Sequence, residues 1–229
     1  MKLLGNYEHL INSFLKKNYI FISYDELNLN NNKQIILRHD VDISIDLALK
    51  MAILENNSNI SSTYFFLISN LSYNLFADEN IKKVKKIKKL GHKISLHFDL
   101  SIYQNPRKGF LYEKKIFEDV FGENIDIVSI HRPTKDFLNN PEDYFPIQNT
   151  YENKLLKKIV YFADSGGSFR YGSPLESKTF QECQNIQLCI HPIWWINSKR
   201  TVQETIEQIL KNKSDNYINH IKKTIKTFN

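Results

Sequence analysis

Short apolar runs alternate with amphipathic segments along most of this chain. The apolar runs are rich in β-branched and aromatic residues, as buried strands are, and they predict strands at residues 35–37, 62–68, 94–98, 127–130, 159–163 and 186–190. Elsewhere apolar residues recur three or four positions apart, which predicts helices at residues 7–17, 45–55, 79–90, 111–121 and 201–211. The last helix is expected to follow a polar cap near Ser198. This alternation indicates β-α units around a parallel sheet, in either a barrel or a doubly wound fold.

Polar clusters follow nearly every predicted strand. They are Arg38-His39-Asp40-Val41-Asp42, His97-Phe98-Asp99, His131-Arg132-Pro133, Asp164-Ser165-Gly166-Gly167 and His191-Pro192. In a barrel the carboxyl ends of all strands converge on one face, where enzymes of this architecture build their sites. Five clusters at five strand ends therefore favour an α/β fold with a distorted (β/α) barrel of about seven strands.

Length and composition indicate one globular domain. The chain has 229 residues, 41% of them apolar, and it contains no repeat or Pro/Gly/Ser-rich linker, so a single domain is expected over residues 1–229. Its two cysteines, Cys183 and Cys189, match neither a disulfide framework nor a zinc-finger spacing, which indicates a reducing compartment. Residues 1–15 lack the apolar core of a signal peptide, and no run approaches the roughly 18 apolar residues of a membrane span. We therefore expect a cytoplasmic protein with no membrane span.

The net charge of +6 changes this picture little. The lysines of segment 82–89 are interleaved with Ile81, Val84, Ile87 and Leu90, so they form the solvated face of a predicted helix. No nucleic-acid-binding motif accompanies them, and we expect no nucleic-acid partner. Nothing in the sequence indicates an oligomeric state.

Asp40 and Asp42 are the first candidate for chemistry. Residues two apart at a strand end point to the same side, and two neighbouring carboxylates repel unless a cation or a proton lies between them. The pair is therefore a candidate for a metal ligand beside a base. The alternative is a loop in which both side chains form Asx turns, and the two readings are equally supported by this segment alone.

His97 and His131 also come directly after β-rich runs. One histidine at a strand end is more often structural than ligating, but two at converging strand ends, with Asp42 nearby, favour a metal site. One carboxylate and two imidazoles suit zinc and leave positions open for water and substrate. Zinc lowers the pKa of its bound water to roughly 7, so such a site supports hydrolysis at neutral pH.

Taken in order, these motifs resemble the polysaccharide deacetylase (NodB-homology) family. They are most similar to its cytoplasmic-type branch, which has an HDVD first motif and a closing HP-x-WW. The resemblance covers residues 35–195 and depends on the following segments: Leu37-Arg38-His39-Asp40-Val41-Asp42, Gly91-His92-Lys93-Ile94-Ser95-Leu96-His97-Phe98-Asp99, Ser129-Ile130-His131-Arg132-Pro133, Asp164-Ser165-Gly166-Gly167 and His191-Pro192-Ile193-Trp194-Trp195. Each motif is weak singly, whereas five in this order are fairly specific.

The resemblance implies a role for each matching residue. Asp40 corresponds to the catalytic base and Asp42 to the metal ligand of the first motif. Arg132 corresponds to the arginine that pairs with the base, and Asp164 to an acid that supports the site. His191 corresponds to the general acid for the leaving amine. The resemblance also implies a divalent metal cofactor, zinc in the first instance, and an N-acylated sugar or nucleotide sugar as the substrate.

The second motif departs from the family pattern. His97 corresponds to its first ligand histidine, but Ser101 stands four residues later, where the family has another histidine. The third metal ligand must therefore come from elsewhere. We expect it to be His131, which ends a separate strand, and Asp99 is the alternative.

Trp194 and Trp195 are candidate substrate-binding residues, because aromatic faces commonly line sugar pockets; packing in the barrel is the equally weighted alternative. The resemblance thus predicts a metal-dependent hydrolase that removes an acyl group, acetyl in the first instance, in cell-surface glycan biosynthesis. A non-catalytic carbohydrate-binding protein with a degenerate site is the second hypothesis, motivated by Ser101. Metal content distinguishes the two.

Overall fold

Parallel strands form one curled sheet at the centre of the computed structural model, which describes residues 4, 6–142, 144–196 and 201–228. The strands are β1 (Ile20–Ile22), β2 (Gln34–Val41), β3 (Thr63–Phe66), β4 (Lys93–Asp99), β5 (Ile127–His131), β6 (Gln148–Asn149), β7 (Val160–Ala163) and β8 (Ile186–Ile190). Seven of them follow the spatial order β6-β5-β4-β3-β2-β8-β7, and β1 pairs with β2 beside this path. Because β6 and β7 are the end strands, the described part of the barrel is open between them. The predicted distorted (β/α) barrel of about seven strands is confirmed.

Helices connect the strands, as the alternating pattern predicts. They are α1 (Tyr7–Lys16), α2 (Ile45–Asn57), α3 (Asp78–Lys89), α4 (Pro106–Phe121), α5 (Lys135–Asn139), α6 (Asn153–Leu156), α7 (Lys178–Gln181) and α8 (Val202–Thr224). The sequence pattern misses β1, β6 and the short helices α5, α6 and α7, which are too brief to show a period. No helix in the described ranges combines the length and the apolar character that crossing a bilayer requires.

Local signals account for where the longer helices begin and end. Asn105 caps α4 by accepting a hydrogen bond from Lys108, and Pro106 fills its first position, where no backbone N–H is needed. Gly122 ends α4 in the left-handed conformation, with φ 61°. Thr201 caps α8 in a capping box with Glu204. The helix extends beyond the predicted residues 201–211, and Ser198, expected near its cap, lies outside the described residues.

The two faces of β2 divide the interior of the molecule. Leu37 and Val41 belong to the core between the sheet and the surrounding helices. Ile36 faces the other way and belongs to a smaller apolar cluster with Tyr24, Phe65 and other residues inside the barrel. Because residues two apart share a face, Arg38 and Asp40 lie on the same face as Ile36. The barrel interior is therefore apolar at its base and polar towards the carboxyl ends of its strands.

Candidate active site

Asp42, His97 and His131 meet at the carboxyl ends of β2, β4 and β5. The Oδ1 atom of Asp42 lies 3.3 Å from Nε2 of His97 and 3.6 Å from Nδ1 of His131, and the two ring nitrogens are 3.2 Å apart. Ligands about 2.0–2.1 Å from a tetrahedral zinc ion lie about 3.3 Å from one another. The three side chains that the sequence predicts as ligands are therefore brought together at a spacing that suits a divalent ion.

The electrostatics of this group also fit a cation. Asp42 Oδ1 is buried and accepts no hydrogen bond from any described residue, although an unpaired buried carboxylate oxygen is costly. Burial raises the pKa of Asp42, but the neighbouring His97 imidazole outweighs this and lowers it below its usual range. Burial lowers the pKa of His131, and the charge of His97 lowers it further. An ionised Asp42 and a neutral His131 are the protonation states that bind a metal.

Asp99, the alternative ligand, is directed elsewhere. Its Oδ1 atom accepts hydrogen bonds from the backbone N–H and the hydroxyl of Ser101, at 2.8 and 2.6 Å. It does not belong to the group of ligand atoms formed by Asp42, His97 and His131. Ser101, at the position of the missing family histidine, is exposed and lies within the short turn after β4 that Asp99 caps. The geometry supports His131 as the third ligand.

Asp40 lies on the same face of β2, deeper in the barrel. Its Oδ2 atom is 3.3 Å from Nη2 of Arg38, and its Oδ1 atom accepts a hydrogen bond of 3.2 Å from Ser129 Oγ. Burial raises the pKa of the Asp40 carboxyl, but the Arg38 guanidinium, followed by His97 and His191, holds it well below its usual range. Asp40 is therefore ionised at neutral pH.

The arginine that pairs with Asp40 is Arg38, whereas the sequence motif assigns this place to Arg132. Arg132 is exposed, adopts a left-handed backbone with φ 50°, and lines the cavity above the site. Arg38 is fully buried two residues before Asp40 on β2, and it also bonds to the hydroxyl of Tyr161 at 3.1 Å. The motif predicted the wrong arginine because the chain turns at Arg132, directly after the end of β5, and the residue is exposed there.

His191 is held by Asp164, the residue to which the resemblance assigns the place of an acid that supports the site. Asp164 is fully buried and accepts a 2.6 Å hydrogen bond from Nδ1 of His191 and others from the His191 backbone N–H. Burial lowers the pKa of His191, but the charge and hydrogen bond of Asp164 and the charges of Asp42 and Asp40 raise it to about 9. Both ring nitrogens of His191 are therefore protonated at neutral pH. Its Nε2 atom lies 3.7 Å from Oδ2 of Asp42.

The two tryptophans occupy different places. Trp194 lines a cavity of about 360 Å³ that opens above the site, beside His131 and His191. Trp195 is buried and donates its Nε1–H to Asp164 at 2.6 Å. Trp194 is therefore available to a substrate. Trp195, predicted with it as a substrate-binding residue, instead packs behind the site and bonds to the acid that holds His191.

Sequence reasoning overlooked a buried polar network behind β2. Glu55 of α2 accepts hydrogen bonds from the hydroxyls of Ser62 and Tyr64 at 2.7 and 2.9 Å, and from Tyr7, and its carboxylate lies 2.6 Å from Nε2 of His39. His39 lies on the opposite face of β2 from Asp40. The network therefore fixes the strand that carries both aspartates. Glu55 gave no signal, because an acid on an amphipathic helix normally faces solvent.

No family model matches the sequence, and no curated protein does so. Solved structures do match. The deacetylase PplD of Streptococcus pyogenes, solved with acetate, is 13% identical, with 80% of this chain and 79% of that chain covered and a TM-score of 0.46. A family 4 carbohydrate esterase from Bacillus anthracis is 14% identical, with 92% and 90% covered and a TM-score of 0.45.

A third match is a CE4 family pseudoenzyme from Bacillus anthracis, 10% identical, with 91% of this chain and 77% of that chain covered and a TM-score of 0.45. At these identities the likeness concerns the fold. These three structures are a deacetylase, a family 4 carbohydrate esterase and a CE4 family pseudoenzyme.

Proposed function

We propose that this protein is a metal-dependent hydrolase that removes an acyl group from an N-acylated sugar or nucleotide sugar, and that this acyl group is acetyl. The observation that carries the proposal is the buried Asp42 Oδ1 atom, which lacks a hydrogen-bond partner among the described residues and faces ring nitrogens of His97 and His131. One carboxylate and two imidazoles hold zinc in hydrolytic sites.

A divalent cation bound by these ligands supplies Lewis acidity to the amide carbonyl and acidity to the attacking water. Asp40 accepts the proton of that water, since it is ionised and lies beside the ligand group, 3.9 Å from His97. Arg38 holds Asp40 ionised and oriented.

His191 donates a proton to the departing nitrogen. An amine is a poor leaving group unless it is protonated, so amide hydrolysis needs an acid at this point. The pKa of about 9 keeps His191 protonated at neutral pH, and Asp164 fixes the ring so that Nε2 faces the site. Trp194 and Arg132 line the cavity, and in this proposal they contact the sugar.

Acetate release tests the proposal. The purified protein is reconstituted with zinc and incubated with N-acetylated sugars, free, nucleotide-linked and oligomeric, and acetate is followed by proton NMR. We expect release from at least one class, and loss of release in Asp40→Asn with zinc still bound. Sugar binding without acetate release by the zinc-loaded protein contradicts the proposal and favours the non-catalytic carbohydrate-binding hypothesis.

A further inference from the structure

A second group of potential metal ligands lies beside the first. One carboxylate oxygen of Asp40, the thiol sulfur of Cys189 and one ring nitrogen of His191 all lie within 4.8 Å of one another. The sulfur is 3.5 Å from Oδ2 of Asp40. All three residues line the cavity above the site, so an ion can reach them from solvent.

The strand register holds this group together. β2 and β8 are parallel neighbours in which Arg38 is opposite Cys189 and His39 is opposite Ile190. Asp40 is the next residue along β2 and His191 directly follows the end of β8, so the three ligand atoms come from adjoining positions. Their separation is therefore set by backbone pairing and does not depend on a flexible loop.

The chemistry of the group suits a thiophilic divalent ion. Thiolate, imidazole and carboxylate are all zinc ligands, and the thiolate adds affinity for softer ions such as cadmium. Nδ1 of His191 is bonded to the Asp164 carboxylate, which leaves Nε2 for an ion. A carboxylate behind a ligating histidine is a common arrangement in metal sites, where it orients the ring.

We propose that Asp40, Cys189 and His191 form a second cation site, weaker than the first, which binds zinc, cobalt or cadmium when these ions are in excess. The bound ion forms bonds to Sγ of Cys189 and Nε2 of His191, and the thiol proton and the Nε2 proton are both released to solvent. Two features make the site weaker. The Arg38 guanidinium already pairs with Asp40 at 3.3 Å, and the thiol and the protonated His191 ring must each lose a proton.

Filling this site inhibits hydrolysis, a consequence that rests on the proposed function. The ion occupies Asp40 and His191, the proposed base and acid, so neither can transfer a proton. Activity should therefore rise with the first equivalent of metal and fall as more is added. The binding itself does not rest on the proposed function, because it concerns only this chain's ligands.

Cobalt titration followed by absorbance tests the binding. A cobalt–thiolate bond gives a charge-transfer band in the near ultraviolet, which carboxylate and imidazole ligands do not give. We expect the band in the wild type between the first and second equivalents, and its loss in Cys189→Ser and Cys189→Ala. The chain has one other cysteine, Cys183, which is partly buried two residues beyond the end of α7, and Cys183→Ser is the matched control that should keep the band.

Three results would overturn the proposal: no band in the wild type, a band that survives in Cys189→Ser, or a band complete within the first equivalent. Failure of the proposed function is recognised separately, because it appears as absent acetate release while the band remains.

In Asp42→Ala, which lacks the first site, the band should appear with the first equivalent. For each variant, the activity is expressed as a fraction of that variant's maximal activity. The zinc concentration that inhibits Cys189→Ser should then be at least about tenfold higher than the concentration that inhibits Cys183→Ser.

Discussion

Nδ1 of His131 lies 3.2 Å from Nε2 of His97, although the two rings come from different strands. Both nitrogens also face one oxygen of Asp42. A single proton can join only two of these three atoms, whereas a divalent cation satisfies all of them. In the proposed metal site, His131 on β5 takes the place of the histidine that the related motif carries at position 101.

The Arg38–Asp40 pair predicts different outcomes for two arginine variants. Arg38→Gln leaves Asp40 buried without its charge partner, so it should lower the free energy of unfolding by about 3–5 kcal/mol and reduce turnover. Arg132→Gln should change the stability little, because Arg132 is exposed. Urea denaturation and acetate release measure the two effects. A loss of turnover in Arg132→Gln with none in folded Arg38→Gln would return the pairing role to Arg132.

Asp164→Asn should alter the pH dependence of turnover. The Asp164 carboxylate stabilises protonated His191 and helps to raise its pKa to about 9, so removing the charge lowers that pKa. The protonated fraction then falls at lower pH, and the alkaline limb of kcat/KM should shift to lower pH. Trp195→Phe is the control, because it removes a donor to Asp164 and keeps its charge. An unmoved alkaline limb in Asp164→Asn would show that His191 is not the titrating acid.

Glu113 predicts a pH dependence of stability away from the site. Burial raises its pKa from 4.5 to about 7, although hydrogen bonds from Tyr103 and Ser69 lower it. Between these values the folded state keeps a proton that the unfolded state releases. Protonated Glu113 therefore stabilises the folded state at low pH. As the pH rises from roughly 4.5 to 7 this stabilisation is lost, and the free energy of unfolding should fall by about 3 kcal/mol.

Glu113→Gln should remove this part of the pH dependence, since the amide does not titrate. Urea denaturation at about pH 5 and about pH 7.5 measures it, with the exposed Glu207→Gln as the control. An equal fall in stability between the two pH values in Glu113→Gln and Glu207→Gln would mean that another group causes it.

The strand-end pattern was enough to predict the barrel and to bring Asp42, His97 and His131 together, because parallel strands place their carboxyl ends at one edge. It could not distinguish Arg38 from Arg132. Arg38 shares a strand face with Asp40, whereas the position of Arg132 depends on how the chain turns after β5. The period of two that places Asp40 and Asp42 on one side also places Arg38 there. The roles of Trp195 and Glu55 could not be predicted, because each depends on tertiary contacts. Trp195 bonds to Asp164, and Glu55 contacts His39 and Tyr64.

Zinc content decides whether the three ligands act as one site. The wild type, Asp42→Ala, His131→Ala and Asp99→Ala are purified, dialysed against limiting zinc and measured by plasma mass spectrometry, with His220→Ala on the exposed face of α8 as the histidine control. We predict about one zinc per chain in the wild type, Asp99→Ala and His220→Ala, and at least about tenfold weaker binding in Asp42→Ala and His131→Ala. Wild-type zinc content in His131→Ala, with loss in Asp99→Ala, would contradict a site formed by Asp42, His97 and His131.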